Sequence, residues 1–186
     1  MTEPVRLTLD LKYAPNILFL FGLSGAGKSY VGNLIGELDD WYVYHADDDL
    51  TDEMLLALKE QRPFTESMRD DFFPVVAQRV LALSRKHKRI VVTQGVYKQR
   101  HRDYMMAAVP EMEMLCVDAS NRFIEQRLGN RAKGISNASA EALRRDFELP
   151  DSGTRIITNQ DGPIEVVQQL NKYYSTPQVQ RTEKHD

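Results

Sequence analysis

Cysteine is almost missing from this chain: Cys116 is the only one in 186 residues. A disulfide within the monomer is excluded, and with it the class of small secreted domains that depend on such staples. A lone cysteine in the apolar run Met114 to Val117 reads as a small buried hydrophobe. Long hydrophobic runs are missing too, and no segment approaches the roughly 20 apolar residues of a membrane span. Neither sign of charge dominates. Lys and Arg number 24 against 27 Asp and Glu, for a formal net charge of -3, so no global basic surface points to nucleic acid. The densest basic stretch, Arg85 to Arg89 (RKHKR), reads as a solvated helix C-terminus. The first residues, MTEPVRLTLDLKYAP, carry acids and have no apolar core, unlike a signal or transit peptide. The expectation is a cytoplasmic protein without nucleic-acid or membrane partners.

What is present is ordinary globular composition, 42% hydrophobic and 27% charged, and enough chain for one domain with a full core. Residues Gly22, Leu23, Ser24, Gly25, Ala26, Gly27, Lys28 and Ser29 fit the phosphate-binding pattern GxxxxGK[ST] at every fixed position. An apolar run, Asn16 to Phe21, precedes them, and Val31, Leu34, Ile35 and Leu38 follow at helical spacing. Strand, glycine loop and helix are the context in which this pattern has a mechanism. Glycines let successive N–H groups turn inward as a nest for anionic oxygens, and the helix adds the positive end of its dipole. Lys28 would reach β- and γ-phosphates, the Ser29 hydroxyl would hold magnesium, and Tyr30 closes the nucleotide-binding segment. ATP and Mg2+ are the implied cofactors.

Strand-like and helical segments alternate to the end. Strands are expected at Trp41–Tyr44, Arg89–Thr93, Glu113–Val117 and Arg155–Thr158. Helices are expected at Asp52–Lys59, Asp70–Lys86 with Pro74 near its beginning, Gln99–Val109, Ser120–Arg131, Ser139–Glu148 and Pro163–Tyr174. Such alternation means an α/β fold with a parallel sheet and helices on both faces. Residues 1–174 form one domain, and the polar stretch 175–186 is a flexible tail. Ligands of such sheets bind at the carboxyl ends of the strands, which selects four places.

The first is the glycine loop. The second follows strand two, where Asp47 could take a proton from an attacking hydroxyl or bind magnesium through water. Asp48 and Asp49 suit an N-cap, and His45 a hydrogen-bonded rim position. The third is Thr93-Gln94-Gly95, where a strand-end glycine suggests close approach to a ligand. No Walker B acid ends that strand, which argues against motor and transport ATPases. The fourth is the series Arg122, Arg127 and Arg131 with Lys133 in the following glycine-containing loop, a candidate lid at about 131–138. Guanidinium groups and a closing loop suit a phosphotransfer site that must exclude water. Arg69, between strands two and three, could pair with a substrate carboxylate.

These segments resemble the gluconate kinase family, within the shikimate-kinase-like small P-loop kinases. The likeness runs from about Ile17 to Pro150. It rests on GLSGAGKS and Ala46-Asp47, on Arg62 to Arg69 over the family's Pro-Leu-x-Asp-x-Asp-Arg segment, and on Val96-Tyr97-Lys98 with Arg102-Asp103-Tyr104. Arg127-Leu128 through Arg131 and Asp146-Phe147-Glu148 complete it. The resemblance implies a five-stranded parallel sheet, a lid, and ATP- and Mg-dependent phosphorylation of a small hydroxy acid. It carries over Asp47 as the acceptor-side carboxylate, Arg69 as a substrate clamp, Arg131 as the adenine-side arginine and Lys98 as a substrate contact. The chain departs from the family at Leu50-Thr51, at Thr93-Gln94-Gly95-Val96 and at Gly134-Ile135-Ser136, so the phosphate-donor half matches more fully than the acceptor half.

Together these readings describe a kinase, monomeric or homodimeric, that transfers the γ-phosphoryl group to a hydroxyl of a small carboxylated metabolite such as gluconate. Lys28, magnesium and Arg127 neutralise the transferring group, Asp47 orients or deprotonates the acceptor, and Arg69, Lys98, Arg102 and Lys133 hold it. A shikimate-type or nucleotide kinase, and a P-loop regulatory module without metabolite turnover, are the alternatives. A GTPase is excluded by the lack of Asn-Lys-x-Asp.

Overall fold

A computed structural model describes residues 7–129 and 144–177. Five parallel strands run in the order β2-β3-β1-β4-β5: β1 (Ile17–Phe21), β2 (Tyr42–His45), β3 (Ile90–Thr93), β4 (Met112–Asp118) and β5 (Arg155–Thr158). The central β1 is buried at every residue, as its unbroken apolar sequence requires of a strand covered on both faces. Its register with β3 pairs Ile17 with Ile90 and Leu20 with Thr93. On its other side Ile17 pairs with Met112 and Phe21 with Cys116.

The helices whose bounds lie within the described residues include α1 (Lys28–Asp39), α2 (Asp52–Lys59), α3 (Glu66–Ser84), α4 (Gln99–Ala108), α5 (Asn121–Gly129) and α6 (Pro163–Tyr174). One sheet face packs Phe19, Phe21 and Val92 against Phe72, Val76 and Met105 of α3 and α4. The other packs Leu18, Leu20 and Val91 against Ile35 of α1 and Leu170 of α6. The expected α/β sandwich is therefore what forms. Cys116 is buried in the first of these layers. No helix among the described residues is long and apolar enough to cross a membrane.

Helix α3 begins earlier than its apolar spacing predicts. The Thr65 hydroxyl accepts a 3.2 Å bond from the Met68 N–H and caps the helix there. Pro74 consequently lies inside α3 and not near its start, so the Asp70 carbonyl has no helical donor from residue 74. The early start places Arg69 on the first turn. The cap of α2 is likewise Thr51 and not Asp48 or Asp49. Asp49 instead accepts from the Arg79 guanidinium at 2.8 and 2.9 Å and from the Tyr44 hydroxyl at 2.8 Å, which holds its carboxyl below the usual range.

Candidate active site

The carboxyl ends of β1, β2 and β3 carry the loop, Asp47 and Gln94. At β1 the chain enters the glycine loop with Gly22 at φ 146°, Gly25 at 86° and Gly27 at 97°, conformations that only glycine adopts without strain. A Cβ on Gly22 would overlap the Val117 carbonyl of β4, so the loop lies flat on the neighbouring strand. The lysine turns inward: Lys28 Nζ donates to the carbonyls of Gly22 at 3.1 Å and Leu23 at 3.0 Å. Helix α1 starts directly beyond, with no acid in its first turn and no side-chain cap among the described residues. Its first N–H groups are thus available to an anion. Ser29 and Tyr30 are exposed beside them.

Two residues brace this loop from outside. The buried Asn159, just after β5, donates from Nδ2 to the Ala26 carbonyl at 3.0 Å. Arg127 of α5 donates from Nη1 to Gly25 and Ala26 at 3.3 and 3.1 Å and from Nη2 to the Asn159 carbonyl at 2.8 Å. Arg127 is held on the carbonyl side of the loop, so in this conformation it positions the nest. Sequence reasoning missed Asn159. A polar residue directly following a strand was the available signal, and the 133-residue separation hid its partner.

Asp47 is exposed in a 3₁₀ turn, Ala46–Asp49, at the end of β2. The Gln94 amide donates to its Oδ1 at 2.9 Å, while the Gln94 oxygen accepts from the Gly95 N–H at 2.6 Å. The third strand end thus supplies a tether for Asp47. His45 bridges Thr93 Oγ1 at 2.7 Å and Asn33 Oδ1 at 3.0 Å, the rim role expected of it.

Arg69 and Lys98 do come together. Asp146 accepts from Arg69 at 3.4 Å and from Lys98 at 2.6 Å. Arg69 also pairs with Glu66 at 3.0 Å, and Lys98 lies 3.7 Å from Glu148. The hydrogen bond that Lys98 donates to Asp146 raises the Lys98 pKa above its ordinary value. Between this cluster and the glycine loop stands Tyr97, whose hydroxyl accepts a 3.2 Å bond from the Ser24 N–H.

Arg102 does not join them. It is 2% exposed and donates to the carbonyls of Val96 at 3.0 Å, Glu148 at 3.0 Å and Leu149 at 3.2 Å and to Gln99 Oε1 at 2.7 Å. Its guanidinium clips the 148–149 segment to α4, which corrects its assignment as a substrate contact. Arg131, Lys133 and the lid at about 131–138 lie outside the described residues.

The donor set fits a magnesium nucleotide. The loop presents a cradle in which a Cβ on Gly27 would collide with Asn159. Among the described residues no three His, Cys, Asp or Glu side chains cluster to hold a metal alone.

Sheet order, glycine loop and flanking helices define the fold of the small P-loop kinases. No protein-family model and no curated protein matches this chain. Among solved structures it is similar to a gluconokinase from Sinorhizobium meliloti, with a TM-score of 0.73, 19% identity, and coverage of 88% of this chain and 95% of that one. A sugar kinase from Janibacter is similar at TM-score 0.71 and 18% identity, over 86% of this chain and 92% of that one. The APS kinase of Mycobacterium tuberculosis, solved with AMPPNP and APS, aligns at TM-score 0.63 and 16% identity over 88% and 99%. At these identities the likeness is one of fold.

Proposed function

We propose that this chain is a cytoplasmic, ATP- and Mg2+-dependent kinase whose acceptor is a hydroxyl of a small carboxylated metabolite, a sugar acid such as gluconate. The observation that carries this reading is the pairing of two clusters at one sheet edge. A phosphate loop alone serves any nucleotide binder. Asp47, Arg69 and Lys98 beside it, with Tyr97 touching both sides, are what an acceptor requires.

Bound magnesium–ATP supplies the activated γ-phosphoryl group. The N–H groups at the start of α1 and the Lys28 ammonium would hold the phosphates, and Ser29, with Asp47 through water, would hold a magnesium ion that offsets their charge. Lys28 leaves the Gly22 and Leu23 carbonyls to do so. Asp47, steered by Gln94, would receive the acceptor's hydroxyl proton as the acceptor oxygen bonds the γ-phosphorus and the bond from that phosphorus to the β–γ bridging oxygen breaks, with ADP as the leaving group. Arg69 and Lys98 exchange the Asp146 carboxylate for that of the acceptor. Arg127 braces the loop. The domain spans 1–174, acting as a monomer or a homodimer.

A second reading rests on Asp146. Because it already satisfies both cations, a neutral sugar could bind with that pair intact. One screen separates the two: ADP release with magnesium–ATP against gluconate, other sugar acids, shikimate, neutral sugars and nucleosides. Stimulation by an acid, lost in Arg69→Ala, supports the first reading, and stimulation by a neutral sugar alone supports the second. Lys28→Ala should abolish turnover. Asp47→Asn should lower kcat by about 100-fold or more with ATP affinity kept, and a near-normal kcat would remove Asp47 from its role.

A further inference from the structure

Tyr97 is buried, 8% exposed, yet its hydroxyl reaches the phosphate loop through the 3.2 Å bond it accepts from the Ser24 N–H. Ser24 directly follows Gly22 and Leu23, whose carbonyls hold the Lys28 ammonium. The phenol oxygen and the lysine therefore meet the same leg of the loop, where the lysine of such loops serves the β- and γ-phosphates. The ring itself belongs to the other cluster. The Arg69 guanidinium lies 5.7 Å from its centroid, Phe147 meets it edge-on at 5.7 Å, and the Tyr97 carbonyl accepts from the Glu148 N–H at 2.8 Å. Gly95 makes room for it, since a Cβ there would come 3.0 Å from the ring.

A buried phenol normally places its proton as well as its oxygen. Here the oxygen is engaged, while the O–H has no acceptor among the described residues. We propose that Tyr97 is a catalytic residue, its O–H donated to a γ-phosphoryl oxygen while its ring fixes Arg69 on the acceptor side. This rests on the kinase reading above. The proton stays on Tyr97 throughout, and no bond to the phenol oxygen forms or breaks. Burial raises the phenol pKa, which keeps the donor protonated. A fixed donor in a site shielded from water gains most as charge on the transferring group shifts.

The test is Tyr97→Phe, with Kd for AMPPNP–Mg and for ADP–Mg measured by titration calorimetry. The expected result is a rise of about 10-fold for AMPPNP, one charge-assisted hydrogen bond, with ADP affinity within about 2-fold. Both affinities unchanged, or both weakened equally, would overturn the proposal, the latter by reducing Tyr97 to a prop for the loop. Wild-type protein that bound neither nucleotide would overturn the underlying reading as well, and that is seen before any variant is made. Should the variant lose its cooperative melt, the unmutated protein labelled with 13Cζ-tyrosine decides. A Tyr97 resonance that moves with AMPPNP but not with ADP supports the proposal, and equal responses to both overturn it.

Discussion

The amide nitrogen of Asn159 lies 3.0 Å from the carbonyl oxygen of Ala26, joining the end of β5 to the middle of the phosphate loop across 133 residues. The same asparagine receives Arg127 on its carbonyl at 2.8 Å and fixes its own N–H on Asp118 at 2.8 Å. Arg127 Nη1 also donates to the Ala26 carbonyl, at 3.1 Å, so loss of the asparagine side chain removes one of its two donors. Asn159→Ala should weaken AMPPNP binding by about 10-fold and lower Tm by a few degrees, the scale of one buried hydrogen bond left unmade. Calorimetry and a thermal melt check this.

Gly27 should tolerate no side chain. Its φ is 97°, and a Cβ would meet both the Asn159 amide and, at 3.5 Å, Arg127 Nη1. Gly27→Ala should abolish detectable nucleotide binding. Combined with Asn159→Ala it should recover part of that loss, because the collision is removed while the backbone strain remains. Strict additivity in the double-mutant cycle would show that the two positions are not in contact.

Arg102→Leu should unfold the protein more readily without touching acceptor recognition. Removing the guanidinium leaves the Val96, Glu148 and Leu149 carbonyls without their donor, a cost of about 2–4 kcal/mol. Denaturant melts should show the loss, while KM for the acceptor stays near wild type at temperatures where the variant is folded. Arg69→Ala should do the reverse.

Cys116 should be inert in the native state. Burial pushes its thiol from the ordinary 9.0 up to about 11, so the thiolate that alkylating reagents require is scarce at neutral pH. The folded state then holds this proton more tightly than the unfolded chain. The contribution is fully present below pH 9.0, and it is lost as pH rises towards about 11. Iodoacetamide labelling that follows global unfolding, and a Cys116→Ala variant whose alkaline stability curve is flatter, are the expected results.

Much of this was legible one residue at a time. Periodicity located every strand to within about two residues, because an apolar β1 or β3 buried on both faces leaves little ambiguity. The glycine pattern located the phosphate loop, since only glycine takes the φ values found at 22, 25 and 27. Pro74 was misplaced because a cap five residues upstream of the expected start at Asp70, Thr65, moved the helix start. Asp49 was misread because its partner, Arg79, comes from the next long helix.

The sequence by itself determined the alternating α/β order, the glycine loop and the presence of Asp47 and Lys98 soon after strand ends, because these follow from local backbone preference and the period of burial. Only the tertiary structure decided what the polar side chains do. Arg102 and Arg127 are alike as sequence, yet one is buried on carbonyls of the 148–149 segment and the other braces the loop. Asp146, Asn159 and Tyr97 acquire their roles from partners 48 or more residues away, Lys98, Ala26 and Ser24. A hydrogen bond is a property of two positions in space, and a parallel sheet brings distant segments to one edge only after its crossovers are made.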